Sequence, residues 1–261
     1  MHRASRLIII LYLLCFLCPG LSRAAEAETK NVQGLVDMAG SQRMLTQRML
    51  RDYALVGLKV KYRNPAQDLS ETVKRFDTQL QQLANTPVNA EVTASVAAVQ
   101  ALWIPVKELV EKAPQAENAL QLKNMLEELL KKSNEVTSLI AQASGSQLGE
   151  VVNKAGRQRM LSQRMAALYM LYSWNIQGED FFPQFRQVVD EYKSSHNFLL
   201  LSDKTTPEIK KKLKKAGKSF RWFDKAVNKQ ARRLTPEVVQ RNSDIILKTM
   251  NEATGLYAAE K

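Results

Sequence analysis

The sequence contains very little of the chemistry that most enzyme and metal sites require. Among its 261 residues are two cysteines and two histidines, and both cysteines, Cys15 and Cys18, lie near the N-terminus. Beyond residue 24 the chain has one histidine, His196, and no cysteine. This excludes zinc clusters, thiol nucleophiles and disulfide bonds, and no glycine-rich phosphate loop is present. We therefore expect no enzyme, no metal site and no cofactor.

Long hydrophobic runs are also missing. The longest unbroken run, residues 7–17, has 11 residues, whereas a membrane-spanning helix needs about 20. Two arginines precede this run, and the small residues of Ser22-Arg23-Ala24 follow it at the position of a cleavage site. The pattern is typical of a secretory signal peptide over residues 1–24 and predicts a periplasmic protein. An uncleaved anchor is the alternative.

Acidic residues are fewer than basic ones. The chain has 38 Lys and Arg against 26 Asp and Glu, a formal net charge of +12. Removal of Arg3, Arg6 and Arg23 with the leader would leave a net charge of about +9. Since export argues against nucleic acid as the partner, the charge favours small anions, membrane headgroups or an acidic protein surface.

One segment of 11 residues occurs twice. Ala-Gly-Ser-Gln-Arg-Met-Leu-Thr-Gln-Arg-Met at residues 39–49 returns 116 residues later as Ala-Gly-Arg-Gln-Arg-Met-Leu-Ser-Gln-Arg-Met at residues 155–165, with nine positions identical. Further correspondences are Phe76 with Tyr192, Trp103 with Trp222 after a short insertion, and Asn-Glu-Val-Thr at 134–137 with Asn-Glu-Ala-Thr at 251–254. The chain is therefore predicted to be a duplication, with one copy in residues 25–145 and the other in 146–261.

Apolar residues recur at helical spacing in both copies, and the alternation typical of β-strands is absent. Prolines at helix starts, as in Asn64-Pro65, mark the breaks, whereas Pro105 is predicted to kink or split its helix. The sequence predicts an all-α fold of two tandem antiparallel four-helix-bundle units. The expected helices are 31–62, 65–84, 90–112, 115–143, 147–177, 180–200, 207–229 and 236–257.

Helical spacing divides the repeated segment into two faces. The first arginine of each copy shares a face with the glutamine four residues later, whereas the second arginine points about 140° away. The glycine one turn before the first arginine costs about 0.5–1 kcal/mol in a helix, which the close approach of another helix would offset. These residues are Gly40, Arg43, Gln47 and Arg48 in the first copy and Gly156, Arg159, Gln163 and Arg164 in the second.

Two interpretations of this pattern stay open. In the first, the small residues permit tight packing, the methionines and leucines fill the core, and the arginines are solvated. In the second, the two helices pair about a pseudo-twofold axis and bring Arg43 and Arg159 together on an anion. Guanidinium groups suit planar oxyanions because they donate two parallel hydrogen bonds and keep their charge. Such an anion would change the preferred separation of the helices.

Both segments resemble the motif of the PilJ-type domain, the N-terminal sensor domain of type IV pili methyl-accepting chemotaxis transducers. They are also similar to the first-helix motif of nitrate/nitrite-sensing histidine kinases. The resemblance extends over residues 31–143 and 147–257 but is specific only in the motif helices. It implies a periplasmic four-helix bundle that binds nitrate or nitrite through the arginine of Ala-Gly-x-x-Arg, which is Arg43 in one copy and Arg159 in the other.

Two features depart from this family pattern. We find no second membrane span and no cytoplasmic transmitter, so we expect the chain to bind and present a ligand rather than carry a signal inward. Arg157 replaces Ser41 in the second copy, which leaves exact symmetry, and nitrate as the specific ligand, open.

The leading hypothesis is a sensor-like protein that binds a small oxyanion of the nitrate or nitrite class and works with a membrane receptor or another periplasmic protein. The alternative is a helical adaptor or structural protein associated with a chemoreceptor, a pilus or a membrane surface. The hypothesis predicts ligand contacts from the two motif arginines of each copy, close approach at Gly40 and Gly156, and supporting hydrogen bonds from Gln47 and Gln163.

One predicted helix, 207–229, has a basic face opposite an apolar one. Such a row of charges is usually solvated, and the alternative is electrostatic docking to anionic lipid or an acidic partner. The basic residues are Lys210, Lys214, Lys218, Arg221, Lys225 and Lys229, and the apolar ones are Ile209, Leu213, Ala216, Phe220, Phe223 and Val227.

Three remaining groups of residues are predicted to be structural. Trp103 and Trp222 are expected to anchor the core of their copies. His196 is expected at the surface or between helices. The adjacent carboxylates Glu127 and Glu128 point about 100° apart on a helix and so do not form a di-metal arrangement.

Overall fold

Eight α-helices occur in the residues that the computed structural model describes, 19–143, 149–176, 181–228 and 235–259, and no β-strand occurs among them. The first four helices are α1 (Pro19–Gly57), α2 (Pro65–Ala84), α3 (Ala90–Val110) and α4 (Ala116–Ala143). The last four are α5 (Gly149–Ser173), α6 (Phe181–Leu201), α7 (Pro207–Asn228) and α8 (Pro236–Ala259). The prediction of an all-α fold with four helices in each copy is confirmed.

The largest difference from the expected boundaries concerns α1, which begins at Pro19 rather than near residue 31 and ends at Gly57 rather than near residue 62. Pro105 does not split its helix, because α3 continues through it to Val110. The side chains of Trp103 and Val106 are buried on either side of Pro105 and hold this stretch against the core.

Several predictions fall outside the described residues. Residues 1–18 hold most of the predicted signal peptide, and the predicted boundary between the copies lies within 144–148. Lys229, at the end of the predicted basic face, is also outside them. Cleavage after residue 24 and the domain boundaries therefore stay predictions. No helix in the described ranges has the length and hydropathy needed to cross a membrane.

Local sequence explains where the helices start. The side chain of Asn64 accepts a hydrogen bond from the backbone N–H of Gln67, and Pro65 takes the first helical position of α2. Asn89 caps α3 in the same way through the N–H of Val92. Each cap satisfies a backbone donor that has no partner within the helix.

The C-terminal ends of α1 and α5 repeat the same backbone motif. Lys59 and Asn175, which are 116 residues apart, both have a positive φ, of 55° and 61°. In both copies the following N–H returns to the helix, from Val60 to the carbonyl of Leu55 and from Ile176 to that of Leu171. This is the left-handed ending that commonly terminates helices, and its recurrence extends the duplication beyond the repeated segment.

The helices α1 and α5 lie side by side at the centre. In its own unit α1 packs against α2 and α4, and α5 packs against α6 and α8, while α3 and α7 complete the units from outside. Residue numbers increase along both α1 and α5 from one contact to the next, from Gly40 with Arg159 to Arg51 with Gln163. The two helices are therefore parallel. Contacts within a unit run in opposite senses, as where Arg43 meets Asn134 and Gln47 meets Glu127, so α1 and α4 are antiparallel. The arrangement is two four-helix units joined along their motif helices.

The aromatic core corrects one prediction. In the first unit Trp103 is 4 % exposed and its ring lies 4.4 Å from that of Phe76. In the second unit the ring stacked on Tyr192, at 4.3 Å, is that of Phe220. Trp222 is 48 % exposed, so the prediction that it anchors the core is wrong. The prediction matched Trp103 with Trp222 because both are tryptophans. In α7, however, Phe220 faces the core and Trp222 faces outward.

Candidate functional site

The two copies of the repeated segment meet where α1 contacts α5. A β-carbon built on Gly40 would lie 3.4 Å from Nη2 of Arg43 and 3.7 Å from Nη2 of Arg159. A β-carbon on Gly156 would lie 3.3 Å from Nη2 of Arg159 and 3.5 Å from Nη2 of Arg43. Both guanidinium groups therefore lie over both glycines, in a pair that obeys the pseudo-twofold symmetry of the duplication. We call Gly40, Arg43, Gly156 and Arg159 the arginine pair site.

The glycines make room for guanidinium groups rather than for helix backbone. Near Gly156 the heavy atoms within 4 Å of a built β-carbon are the two Nη2 atoms, and near Gly40 the methyl carbon of Thr137 is added at 4.0 Å. A side chain on either glycine would enter the space that the arginines share. The glycines were expected to permit the close approach of another helix. In the structure the groups that approach them closely are the charged side chains of Arg43 and Arg159.

Each arginine is held by an asparagine of its own unit and by one residue of the opposite motif helix. Arg43 donates to Oδ1 of Asn134 at 2.8 Å and to Oδ1 of Asn153, on α5, at 2.9 Å. Arg159 donates to Oδ1 of Asn251 at 3.3 Å and to Oδ1 of Asp37, on α1, at 2.7 Å. The contacts of the two arginines are equivalent in the duplication. They differ in charge only where Arg43 contacts Asn153 and Arg159 contacts Asp37.

The arginine pair is buried and poorly neutralised. Arg43 is 2 % exposed and Arg159 is 5 % exposed. Burial, together with the positive charges of Arg159 and Arg157, lowers the pKa of Arg43 to about 10. Arg43 stays charged at neutral pH, yet no carboxylate in the described ranges forms an ion pair with it.

The Nε atoms of both arginines add unused donors. Both are buried, and neither donates a hydrogen bond to another described residue. A buried donor without a partner costs about 1–3 kcal/mol. The two like charges also repel each other, because water is largely excluded from this buried position. The site therefore combines positive charge with hydrogen-bonding capacity that the protein does not fill.

Arg157 lies at the edge of this site. Its exposed side chain forms an ion pair with Glu191 on α6, so the extra charge of the second copy is partly compensated. The equivalent Ser41 is buried, and its hydroxyl has no hydrogen-bond partner among the described residues.

The glutamine before the first arginine has a structural role that the sequence reasoning missed. Nε2 of Gln42 donates to the backbone carbonyl of Phe76 at 3.2 Å, and Nε2 of Gln158 donates to that of Tyr192 at 3.1 Å. Each bond fixes the motif helix to the next helix of its unit. The identical spacing in both copies was the signal that could have revealed it.

The glutamines four residues after the arginines are engaged elsewhere. Nε2 of Gln47 donates to Glu127 at 3.4 Å. Nε2 of Gln163 donates to the carbonyl of Ser243 at 3.3 Å, and its oxygen accepts from Arg51 at 2.7 Å. The structure does not place either amide on the arginine pair, so their predicted contact with a ligand stays a prediction.

The second arginine of each copy forms ion pairs with carboxylates. Arg48 lies 3.4 Å from Asp52 and 3.5 Å from Asp68. Arg164 lies 2.9 Å from Glu127. Both are partly exposed, and the structure does not bring them into the arginine pair site.

A buried charged cluster lies two turns further along α1. Arg51 is fully buried and contacts Asp52 and Asp244 at 2.6 Å each. Burial lowers the pKa of Arg51, but the two carboxylates outweigh that effect and raise it. The equivalent residues of the second copy, Ala167 and Leu168, are apolar. Sequence reasoning missed the cluster, because Asp244 is far away in the chain.

The other predicted residues are placed as follows. The described apolar residues of α7, from Ile209 to Phe223, are buried, and the basic residues Lys210 to Lys225 are exposed on the opposite side. His196 is buried between helices, stacked on Tyr192 and close to Gly217. Within the described ranges no group of histidine, cysteine and acidic residues is arranged to hold a metal ion.

Comparison with known proteins supports the duplication. The model of one protein family, described as the type IV pili methyl-accepting chemotaxis transducer N-terminal domain, matches the chain twice, over residues 26–129 and 140–261. Each match contains one copy of the repeated segment. No curated protein and no solved structure matches the chain.

Proposed function

Because the chain belongs to the family of type IV pili methyl-accepting chemotaxis transducer N-terminal domains, a sensory and non-catalytic family, we propose that it is a sensory domain for a small oxyanion. The ligand is of the nitrate or nitrite class and binds between Arg43 and Arg159. The protein acts in the periplasm, where such domains of chemoreceptors are typically found.

The observation that carries this proposal is the meeting of two buried guanidinium groups over two glycines. Burying like charges side by side is unfavourable, and a structural role would be served as well by neutral side chains. An anion between the groups removes the repulsion and accepts hydrogen bonds from donors that the protein leaves free.

A small planar oxyanion fits this arrangement better than a bulky one. Each guanidinium offers two N–H groups in one plane, which match two oxygens of a planar anion. The Nη2 atoms are close together, since both lie within 3.5 Å of one point above Gly156. The surrounding side chains are buried, so a ligand has to be small to enter.

Occupancy becomes a signal because both arginines sit on the interface between the two units. Without the anion, repulsion favours a larger separation of α1 and α5. With the anion, attraction to both guanidinium groups favours a smaller one. The ligand thus shifts a conformational equilibrium by its different affinity for the two separations.

The test is thermal unfolding and calorimetry with sodium nitrate and sodium nitrite, against sodium chloride at equal ionic strength. We expect nitrate or nitrite to raise the unfolding temperature, since a ligand at 100 times its Kd stabilises the folded state by about 2.7 kcal/mol. Arg43→Met and Arg159→Met are expected to abolish this shift while leaving helical content unchanged.

Matched controls are Arg48→Met and Arg164→Met, which remove the second arginine of each copy. Because these arginines lie outside the arginine pair site and contact carboxylates there, we expect nitrate binding to persist. Nitrate binding that survives in the Arg43→Met, Arg159→Met double variant would show that the site is elsewhere. Absence of binding to the unaltered protein would favour the adaptor interpretation.

A further inference from the structure

Among the residues that hydrogen-bond to the arginine pair, one charge difference occurs, between residues 37 and 153. These residues are equivalent in the duplication, and each reaches across to the arginine of the other unit. Asp37 accepts from Nη2 of Arg159 at 2.7 Å, whereas Asn153 accepts from Nη2 of Arg43 at 2.9 Å. One arginine is therefore held by a carboxylate and the other by a neutral amide.

The nitrogen that Asp37 contacts is one that faces the shared space. Nη2 of Arg159 is the atom closest to the built β-carbon of Gly156. A carboxylate is itself a planar oxyanion, and its hydrogen bond with a guanidinium is stronger than that of an amide oxygen. Asp37 thus offers Arg159 the same chemistry as the proposed ligand.

The two partners of this ion pair differ in their access to water. The side chain of Asp37 is 47 % exposed, whereas that of Arg159 is 6 % exposed. Asp37 can turn into solvent at little cost, but Arg159 stays fixed by its burial and by Asn251. The carboxylate is therefore the mobile member.

We propose that Asp37 is a built-in competitor of the anion: it occupies Arg159 when the site is empty and is displaced into solvent when an oxyanion binds. This inference rests on the proposed function. Asp37 sets the affinity, because each binding event has to break its ion pair.

The same residue determines which charge of ligand the site favours. When displaced, Asp37 stays beside the site, and its negative charge repels a dianion about twice as strongly as a monoanion. Asp37 therefore selects monoanions such as nitrate against dianions such as sulfate.

Calorimetric titration with nitrate and with sulfate, at constant ionic strength, tests this role. Asp37→Asn gives the first copy the residue of the second, and we expect nitrate to bind at least tenfold more tightly, with a larger gain for sulfate. Asn153→Asp places a second competitor on Arg43 and is expected to weaken nitrate binding at least tenfold. The control, Glu111→Gln, removes an exposed carboxylate at the other end of the unit, where Tyr53 contacts Gln115.

The outcomes separate the two proposals. If nitrate binds the unaltered protein and Asp37→Asn leaves the affinities for nitrate and sulfate unchanged, the competitor role is wrong while the oxyanion site stands. If nitrate binds neither protein, both proposals fail. If only Asp37→Asn binds nitrate, Asp37 competes as proposed and the unaltered site is not a nitrate site.

A second inference comes from the surface of α7 and is independent of the arginine pair. Its exposed basic residues form one face about 22 Å long, at 1.5 Å per residue. The equivalent helix α3 has no such face, since its exposed side includes Glu91, Ile104 and Glu108. The charge is therefore a property of one copy and not of the fold. The basic face of α7 consists of Lys210, Lys211, Lys214, Lys215, Lys218, Arg221 and Lys225.

An aromatic ring completes this face. Trp222 is exposed, and the Lys225 ammonium lies 6.0 Å from the centre of its ring. Indole rings are enriched at the boundary between membrane headgroups and acyl chains. Lysines on flexible stems suit a fluid layer of phosphates, because they act as point charges without a fixed geometry.

We infer that the basic face of α7 binds the headgroups of anionic phospholipids. The test is sedimentation with vesicles of phosphatidylglycerol and phosphatidylcholine, against vesicles of phosphatidylcholine alone. We expect binding only to the anionic vesicles, at low salt, with a loss of at least fivefold in Lys210→Gln, Lys214→Gln, Lys218→Gln. The matched control, Lys74→Gln, Lys112→Gln, Lys131→Gln, removes the same charge from the first unit and is expected to bind normally.

Tryptophan fluorescence gives a second readout. Anionic vesicles are expected to shift the emission to shorter wavelength, and Trp222→Phe to remove that shift. An equal loss in both triple variants, or no binding to anionic vesicles, would overturn this inference, and the face would then serve an acidic protein or remain solvated.

Discussion

The two motif helices agree where the arginines meet, apart from Ser41 and Arg157, and they differ on both sides of that point. At the level of Arg43 and Arg159 the glycines, the asparagines of α4 and α8, and the anchoring glutamines are the same in both copies. Before it, Asp37 stands opposite Asn153, and beyond it Arg51 stands opposite Ala167.

The difference shows what a fused duplication permits. In a symmetric homodimer, each residue change appears in both subunits. In a single chain, one copy can carry a charge that the other lacks. Here Asp37 and Arg51 charge the first copy on either side of the arginine pair, and Arg157 charges the second copy next to it. These asymmetric charges can be tested separately from the pair.

The largest effect is expected where the asymmetric charge is fully buried. Arg51→Ala removes the closer guanidinium partner of the buried Asp52 and leaves it with the longer contact to Arg48. We expect the free energy of unfolding to fall by about 3–5 kcal/mol. Urea unfolding measures this. Adding Asp52→Leu gives α1 the Ala-Leu pair of α5 and should restore part of the loss. A loss below about 1 kcal/mol in the single variant would contradict the role of the cluster.

A smaller effect on the free energy of unfolding is expected at Trp103 and Trp222, the two tryptophans that the sequence comparison matched. Trp103→Phe gives the first unit the ring of the second, and it removes packing and the hydrogen bond from the indole to Asp77. We expect a loss of about 1–2 kcal/mol. Trp222→Phe should change stability by less than about 0.5 kcal/mol, because that ring is exposed. Equal losses in the two variants would mean that Trp222 is a core residue after all.

The smallest effect concerns the loss of stability at mildly acidic pH through His196, which belongs to the second unit. His196 is buried at the position where the first unit has Leu80, and burial lowers the pKa of His196 below its usual 6.5. The unfolded chain therefore binds the proton more readily, so stability is lost as the pH falls below about 6.5. The slope is at most about 1.4 kcal/mol per pH unit.

His196→Leu makes the second unit like the first at this position and should remove that component of the slope. Urea unfolding between pH 7.5 and pH 5 measures it in both proteins. The control is Asn197→Leu, which changes the exposed neighbour on the same helix and should leave the slope unchanged. A slope that is the same with and without His196 would assign the acid sensitivity to other groups.

Much of the fold could be predicted from local sequence. The pair of asparagine and proline at Asn64-Pro65 predicted the start of α2, because the asparagine caps the helix and proline suits its first position. The duplication followed from the repeated segment. The start of α1 was missed, since no cap or break near residue 31 marks a boundary.

The candidate site was predictable only in part. The motif and its resemblance indicated Arg43 and Arg159, and the repeated Asn-Glu-x-Thr contained Asn134 and Asn251 without showing what they hold. The roles of Asp37 and Asn153 depend on the parallel alignment of α1 with α5, which spacing within one helix does not determine. Nothing in the sequence around Arg51 indicates Asp244, which is 193 residues away.

The packing of Trp174 against Gly57 gives the pair of motif helices one tightly packed end. A β-carbon on Gly57 would lie 2.0 Å from the indole ring of Trp174, so the two helices are locked together there. The arginines lie 14 residues before Gly57, about 21 Å along the helix. A change in the separation of α1 and α5 at the arginines therefore becomes a change in the angle between the two helices, with the contact of Gly57 and Trp174 as the pivot.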